Sequence, residues 1–278
     1  MAEHDISYGK AGVPVYRIGP GDTLFAAAVD VEVFGDNFLP AYTEGDNTNV
    51  VATDSMKNFI LRSGQTYAGT TLEGFVHHVG TGLLQRYEQM ESLRVSGREL
   101  RFDPEGGVLF ARSEGDHGVA VLDLQRDDGG VRISEHRCGR VGFALMKLRG
   151  SAFTRFVRDE YTTLPERVDR PLYLAMDVHW RYTDPDDAVA HDERHVASRA
   201  VREAICEVHE GFVSESIQHL VHELGTVLLR RFAGLSEVSF AARNMTRDPL
   251  SDTDAGADVR VFTDPFPAFG TIRLTLRR

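Results

Sequence analysis

The stretch Asn47–Asn58, NTNVVATDSMKN, holds the first residues whose order could do chemistry. Val50, Val51 and Ala52 read as the end of a buried strand, with Thr53 and Asp54 as N-cap residues ahead of a helix through Ile60, which makes Thr53 a strand-to-helix junction. The first backbone N–H groups of such a helix have no partners within it and are free for an anionic or carbonyl-bearing ligand. Other patterns carry less. His191 and His195, in HDERH, have the four-residue spacing that sets two imidazoles on one helix face in zinc sites, but Asp192 stands where that pattern needs Glu and no third ligand is evident. Gly9 and Lys10 lack the spaced glycine and the following Ser or Thr of a phosphate loop. Cys138 and Cys206, the only cysteines, are too distant in sequence for a zinc motif and too few for a disulfide scaffold, so no metal is expected and a reducing cytoplasm is the default.

The elements that must position these residues follow from periodicity. Tyr8–Ile18 and Thr23–Phe34, separated by GPGD, predict a hairpin, and Leu72–Met90 predicts a helix with Phe75, Val79, Leu83, Leu84 and Tyr87 on one face. Strands are predicted at 92–102, 107–112, 118–124 and 131–138. The order then recurs: a strand at 171–182, a solvated turn at DPDD, helices from Ser198 and over 214–232, and strands at 235–242 and 271–276. Phe75–Val95 lies over Leu220–Phe240 without a gap at an offset of 145 (220 less 75), matching His77 to His222, Gly80 and Thr81 to Gly225 and Thr226, and Arg86 to Arg231. The same offset carries Thr53 to Ser198 and Lys57 to Arg202. Two copies of one unit imply an α+β fold with pseudo-twofold symmetry, helices on one face of antiparallel sheets, and an oligomer that closes the other face.

With 278 residues, 42% of them hydrophobic, the chain can bury a sizeable core. Its 31 Lys and Arg against 42 Asp and Glu give a net charge of -11, which argues against nucleic acid or an anionic membrane as partner. No apolar run approaches a membrane span, the first ten residues lack a signal-peptide core, and the closing Arg277–Arg278 is not a peroxisomal Ser-Lys-Leu signal.

Taken together, SYGKAGVPVYRI, EGDNTNVVATDSMKNFIL, FVRDEYTTLPERVDR and SESIQHL resemble the urate oxidase (uricase) family over nearly the whole chain. The resemblance implies tandem tunnelling-fold (T-fold) domains, residues 1–139 and 140–278, assembling into an oligomeric barrel, a tetramer with active sites at subunit interfaces. It implies oxidation of urate by O2 to 5-hydroxyisourate and hydrogen peroxide without metal, flavin or haem. On this sequence the family pattern puts a base pair at Lys10 and Thr53, with Asp54 beside them. It puts a stacking ring at Phe153, Leu164 and Ile217 against the substrate, a cationic clamp at Arg170, the completing carboxamide at Gln218, and the group that holds oxygen at Asn244. Where the family has a histidine two residues later, this chain has Thr246, which has no group titrating near neutral pH. His179, His219 and His222 are candidate substitutes, although His77 and His222, at matching repeat positions, read first as packing or partly exposed helix residues. The departure leaves two alternatives beside urate oxidation: an oxidase for a different purine, pteridine or fused triazine-like ring in a biosynthetic route, and a catalytically silent heterocycle-binding protein.

Overall fold

A computed structural model describes residues 5–245, 247, 249, 260–263 and 267–278, in two compact units. The first comprises Met1–Gly139 with Arg181–Ala197, and the second Arg140–Trp180 with Ser198–Arg278.

In the first unit β1 (Ser7–Gly19) turns through Pro20–Asp22 into β2 (Thr23–Phe34), the hairpin predicted from the sequence. A five-residue helix, α1 (Leu39–Thr43), precedes α2 (Thr53–Thr66) and α3 (Leu72–Arg86). Strand β3 (Ser92–Glu99) follows, then the short hairpin β4 (Phe102–Pro104) and β5 (Phe110–Arg112), then β6 (His117–Asp127). The antiparallel registers bring Val31 opposite Val95 and Val95 opposite Leu122. Alternation therefore points Val29, Val31, Leu93, Val95, Leu122 and Leu124 to one face, where they bury against Phe75, Val79, Leu83 and Leu84 of α3 and Met56 and Ile60 of α2. Strand β7 (Gly130–Lys147) leaves this unit at Gly139 and runs nine residues beyond the predicted end at Cys138.

In the second unit the sheet order is the end of β7, then β8 (Leu172–Tyr182), β9 (Leu235–Asn244) and β10 (Gly270–Arg277). Helix α4 (Ser198–Gly211) packs on α5 (Ile217–Arg231), and α5 lies against β9 and β10. Under the offset of 145, α2 and α4 coincide at both ends, and so do α3 and α5. The shared glycine of the repeat has a packing cause. A Cβ on Gly80 would strike Leu124 and Val95, and one on Gly225 would meet Leu276 Cδ1 at 2.5 Å and Phe240 at 3.1 Å. Each helix is thus drawn close to its sheet at the same point.

Candidate active site

Lys10 stands on β1 at a bulge. Lys10 faces Val31 while Val13 faces Val29, so β1 holds one extra residue, and Gly12 takes φ +69° and donates its N–H to Asp30 Oδ1 at 2.5 Å. Bulges re-aim the side chains beside them. The Lys10 side chain is half-buried, and its ammonium has no hydrogen bond or ion pair among the described residues.

Residues 50–52 are not a strand, and Thr53 and Asp54 are not caps. Ala52 is the N-cap, without a side-chain hydrogen bond, so Thr53 and Asp54 are the first two residues of α2 at a loop-to-helix junction. The reason lies in Asp54: its carboxylate does not turn back on the helix N–H groups but accepts from Lys57 Nζ at 2.5 Å and Asn58 Nδ2 at 3.0 Å. The helix ladder begins with Ser55 N–H to Ala52 O at 2.9 Å, which leaves the N–H groups of Thr53 and Asp54 without acceptors among the described residues. The hydrogen bond from Lys57 and that cation's charge hold the Asp54 carboxyl below its ordinary range; Asn58 and the charge of Lys10 act the same way. Lys10, Thr53 and Asp54 all belong to the first unit.

Phe153, Leu164, Arg170, Ile217, Gln218 and Asn244 belong to the second. The segment after β7 folds back on itself: Phe153 N–H donates to Arg167 O at 2.7 Å and Arg167 N–H to Phe153 O at 3.0 Å. Arg170 N–H donates to Ser151 O at 2.9 Å, Ala152 N–H to Ser214 O at 2.7 Å, and the buried Ser214 hydroxyl to that of Ser151 at 3.2 Å. These bonds place Phe153 and Arg170 together and tie both to the start of α5, where Ser216 caps the helix by accepting from His219 N–H at 3.1 Å. The helix therefore starts at Ile217 rather than Ser214, with buried Ile217 and exposed Gln218 in its first turn. The guanidinium of Arg170 lies 5.6 Å from the centre of the Phe153 ring, which stacks on Phe156 at 4.8 Å. Arg170 Nε is buried without a hydrogen-bond partner among the described residues, and burial, followed by the neighbouring charge of Arg167, lowers the guanidinium from its ordinary value. An orphaned donor beside a flat ring suits a planar ligand with acceptors on its edge. Half-buried Leu164 accepts from Arg158 Nη1 at 3.2 Å through its carbonyl, and Asn244 ends β9 opposite Gly270. Thr246 lies outside the described residues.

Two of the candidate substitute histidines are engaged elsewhere or exposed, and His179 is half-buried on β8. His219 packs edge-on against Phe212 at 4.7 Å and accepts from Glu215 N–H, and His222 faces solvent. His77 is a packing residue whose pKa burial lowers. Residues 191–195 are not helical, so the zinc spacing has no common face, and His195 stands 3.3 Å from the buried carboxylate of Glu73.

Sequence reasoning missed one pairing. Gly142 shares the backbone geometry of Gly12, with φ +80° and its N–H on Asp177 Oδ1 at 2.8 Å, and Arg140, two residues before it as Lys10 is before Gly12, donates to Ser198 Oγ at 3.0 Å. Ser198 is the repeat partner of Thr53, so the second unit holds an arginine–serine counterpart of Lys10 and Thr53. The shared signal was a glycine two residues after a cation.

A family model described as uricase matches residues 136–265. The uricase of Haloferax volcanii is 42% identical over 94% of both chains. The uric acid degradation bifunctional protein PucL of Bacillus subtilis is 35% identical over 98% of this chain, which spans 61% of that protein. Among solved structures, urate oxidase from Bacillus sp. TB-90 superposes with a TM-score of 0.92 at 33% identity, covering 98% of this chain and 100% of that one. A uricase from Bacillus fastidious gives 0.93 at 34% identity, covering 99% and 94%. The fold class is therefore the α+β tunnelling fold in tandem, antiparallel sheets with helices on one face. The chain belongs to the uricase family.

Proposed function

We propose that this chain is an oxidoreductase that oxidises urate with O2 to 5-hydroxyisourate and hydrogen peroxide without a resident metal or organic cofactor. The observation that carries the reading is the second unit's clamp, with the orphaned Nε of Arg170 beside the Phe153 ring and Gln218 at the start of α5. Arg170 gives two parallel donors to the edge of the purine, Gln218 a donor and an acceptor, and Phe153 stacks on its face, with Leu164 and Ile217 as apolar contacts. Lys10, acting through the Thr53 hydroxyl, takes the proton, while the open N–H groups of Thr53 and Asp54 hold a carbonyl oxygen. The deprotonated purine is electron-rich enough to reduce O2, which Asn244 positions; the protein's share is to hold, deprotonate and desolvate.

The T-fold domains are 1–139 and 140–278, and the functional assembly is a homotetramer in which the base pair of one subunit meets the clamp of another. Two free cysteines suit a reducing cytoplasm, and no helix among the described residues is long and apolar enough to cross a membrane. Thr246 is the one feature that favours a second reading, an oxidase for another purine, pteridine or triazine-like ring. Metal-stripped protein, assayed for loss of urate absorbance and uptake of O2 alongside Thr246→His, separates the two. Wild-type turnover supports urate oxidation, turnover by the variant alone supports the other ring, and binding of urate analogues without oxygen uptake by either marks a silent binder.

A further inference from the structure

The segment between Phe153 and Arg167 keeps its path through backbone bonds and acids. Phe153 and Arg167 exchange backbone hydrogen bonds at its mouth, Glu166 Oε1 accepts from the N–H of Arg155 at 2.8 Å, and the Asp159 carboxylate accepts from Tyr161 N–H at 3.1 Å and from the Thr162 hydroxyl at 2.8 Å. Two side chains take no part in that path. The Phe156 ring lies on the Phe153 ring, centres 4.8 Å and planes 12° apart, and the Arg158 guanidinium lies 5.5 Å from the centre of Phe156 while its Nη1 donates to Leu164 O at 3.2 Å. Arg158 is exposed in a chain with more acids than cations, and Asp159 and Glu160 follow it, yet it forms no ion pair among the described residues. The bland account is loop packing. Burial does not support it: Phe156 is only half-buried, and Val157 and Tyr161 beside it are 91% and 83% exposed, so no local core needs these contacts.

A ring has two faces, and an aromatic stacked on one leaves the other for a ligand. A guanidinium can lie flat on a ring while its edge donates a hydrogen bond, which an ammonium cannot copy. We propose that Phe156 and Arg158 are positioning residues for the substrate: Arg158 ties Phe156 to Leu164, and Phe156 fixes the plane of Phe153, so that the stacking face and the apolar wall meet the substrate as one rigid piece. This rests on the reading of Phe153, Leu164 and Arg170 as the clamp. All five residues belong to the second unit. The stack sets one tilt for the substrate, and that tilt aims the purine edge at the donors of Arg170, whose guanidinium lies 5.6 Å from the Phe153 centre. Acting only through Phe153 and Leu164, the two residues contribute to holding the ring and not to proton or electron transfer, so their loss falls on KM rather than on kcat.

Phe156→Leu and Arg158→Leu are each expected to raise KM for urate by about 3- to 10-fold with kcat within about twofold of wild type. The Kd for urate, measured by calorimetry under argon so that nothing turns over, should rise to the same extent. Phe156→Tyr keeps the flat ring and should return both constants to wild-type values. Because the two side chains act through one ring, the double variant should bind no worse than the weaker single variant, whereas independent effects would multiply. Arg158 is exposed, so Arg158→Leu keeps the test open should Phe156→Leu fail to fold. Unchanged KM and Kd in either folded single variant overturn the proposal, as do multiplied effects in the double variant or a Phe156→Tyr as weak as Phe156→Leu. The urate reading fails separately: a wild type that binds urate but never consumes oxygen with it removes the oxidation and leaves the positioning test standing on Kd, and a wild type that binds no urate overturns both.

Discussion

Arg170 is held in place by its backbone bond to Ser151 O, which leaves its guanidinium for a ligand. Arg170→Lys keeps the charge and loses the fork, so at least one charge-assisted hydrogen bond worth about 1.5–3 kcal/mol goes with it; kcat/KM for urate should fall by about 10- to 100-fold with unchanged circular dichroism. His209 on α4 tests a different property. It is 5% exposed, neither ring nitrogen has a partner among the described residues, and burial, with the charge of Lys147 second, pushes its pKa down to about 4. The unfolded chain binds this proton near pH 6.5 and the folded chain does not, so the contribution of neutral His209 is complete above pH 6.5 and is lost as pH falls toward 4. The loss amounts to at most about 3 kcal/mol. Urea midpoints across that window should fall less in His209→Leu than in wild type. Sequence could name the clamp residues by resemblance, but it could not show that Asp54 turns to Lys57 and Asn58. An Asp in a helix's first turn reads equally well as a cap or as a bonded side chain, and only the geometry distinguishes them.

At the scale of elements, the four long helices were legible because one face of each must bury, with starts read to within three residues and ends less sharply: Ile60 and Met90 were read where α2 ends at Thr66 and α3 at Arg86. Leu72–Arg86 buries Phe75, Val76, Val79, Gly80 and Leu83, and their counterparts at the offset of 145, Leu220, Val221, Leu224, Gly225 and Leu228, are buried too. What was not legible is short or bent. The five residues of α1 are too few to show a period, and the positive φ at Gly12, where β1 bulges, and at Gly142 is not announced by a lone glycine. The repeat's glycines carry a prediction at this scale. Gly80→Ala gains about 1 kcal/mol in helix propensity, yet it drives a methyl into Leu124 and Val95, an overpacking that costs about 1–3 kcal/mol. The steric cost wins, so Gly80→Ala should lower the denaturation midpoint, and Gly80→Val should lower it further because a β-branched side chain adds bulk at the same contact. An exposed helix position such as Arg62 gives the control, since Arg62→Ala should leave the midpoint nearly unchanged.

At the scale of the whole molecule, the proposed base pair and the proposed clamp lie in different units of one chain, Lys10 and Thr53 in the first and Phe153, Arg170 and Gln218 in the second. Duplication explains the division. Each unit kept a strand with a positive-φ glycine and a pair of helices, but only the first has Lys10 with Thr53, and only the second has Gln218 where its counterpart has Glu73. If the working site joins the first unit of one subunit to the second unit of another, two dead variants can restore one another. Lys10→Met spoils only the first unit and Arg170→Gln only the second, and each alone should lose nearly all urate-dependent oxygen uptake. Mixed in equal amounts, denatured and refolded together, subunits assort at random. A site then draws an intact first unit from one variant and an intact second unit from the other about one time in four. Activity should return to about a quarter of that of wild type refolded the same way. A site built within one subunit would return nothing, because every chain in the mixture carries a broken half, so the yield of the mixture reads the architecture of the site directly.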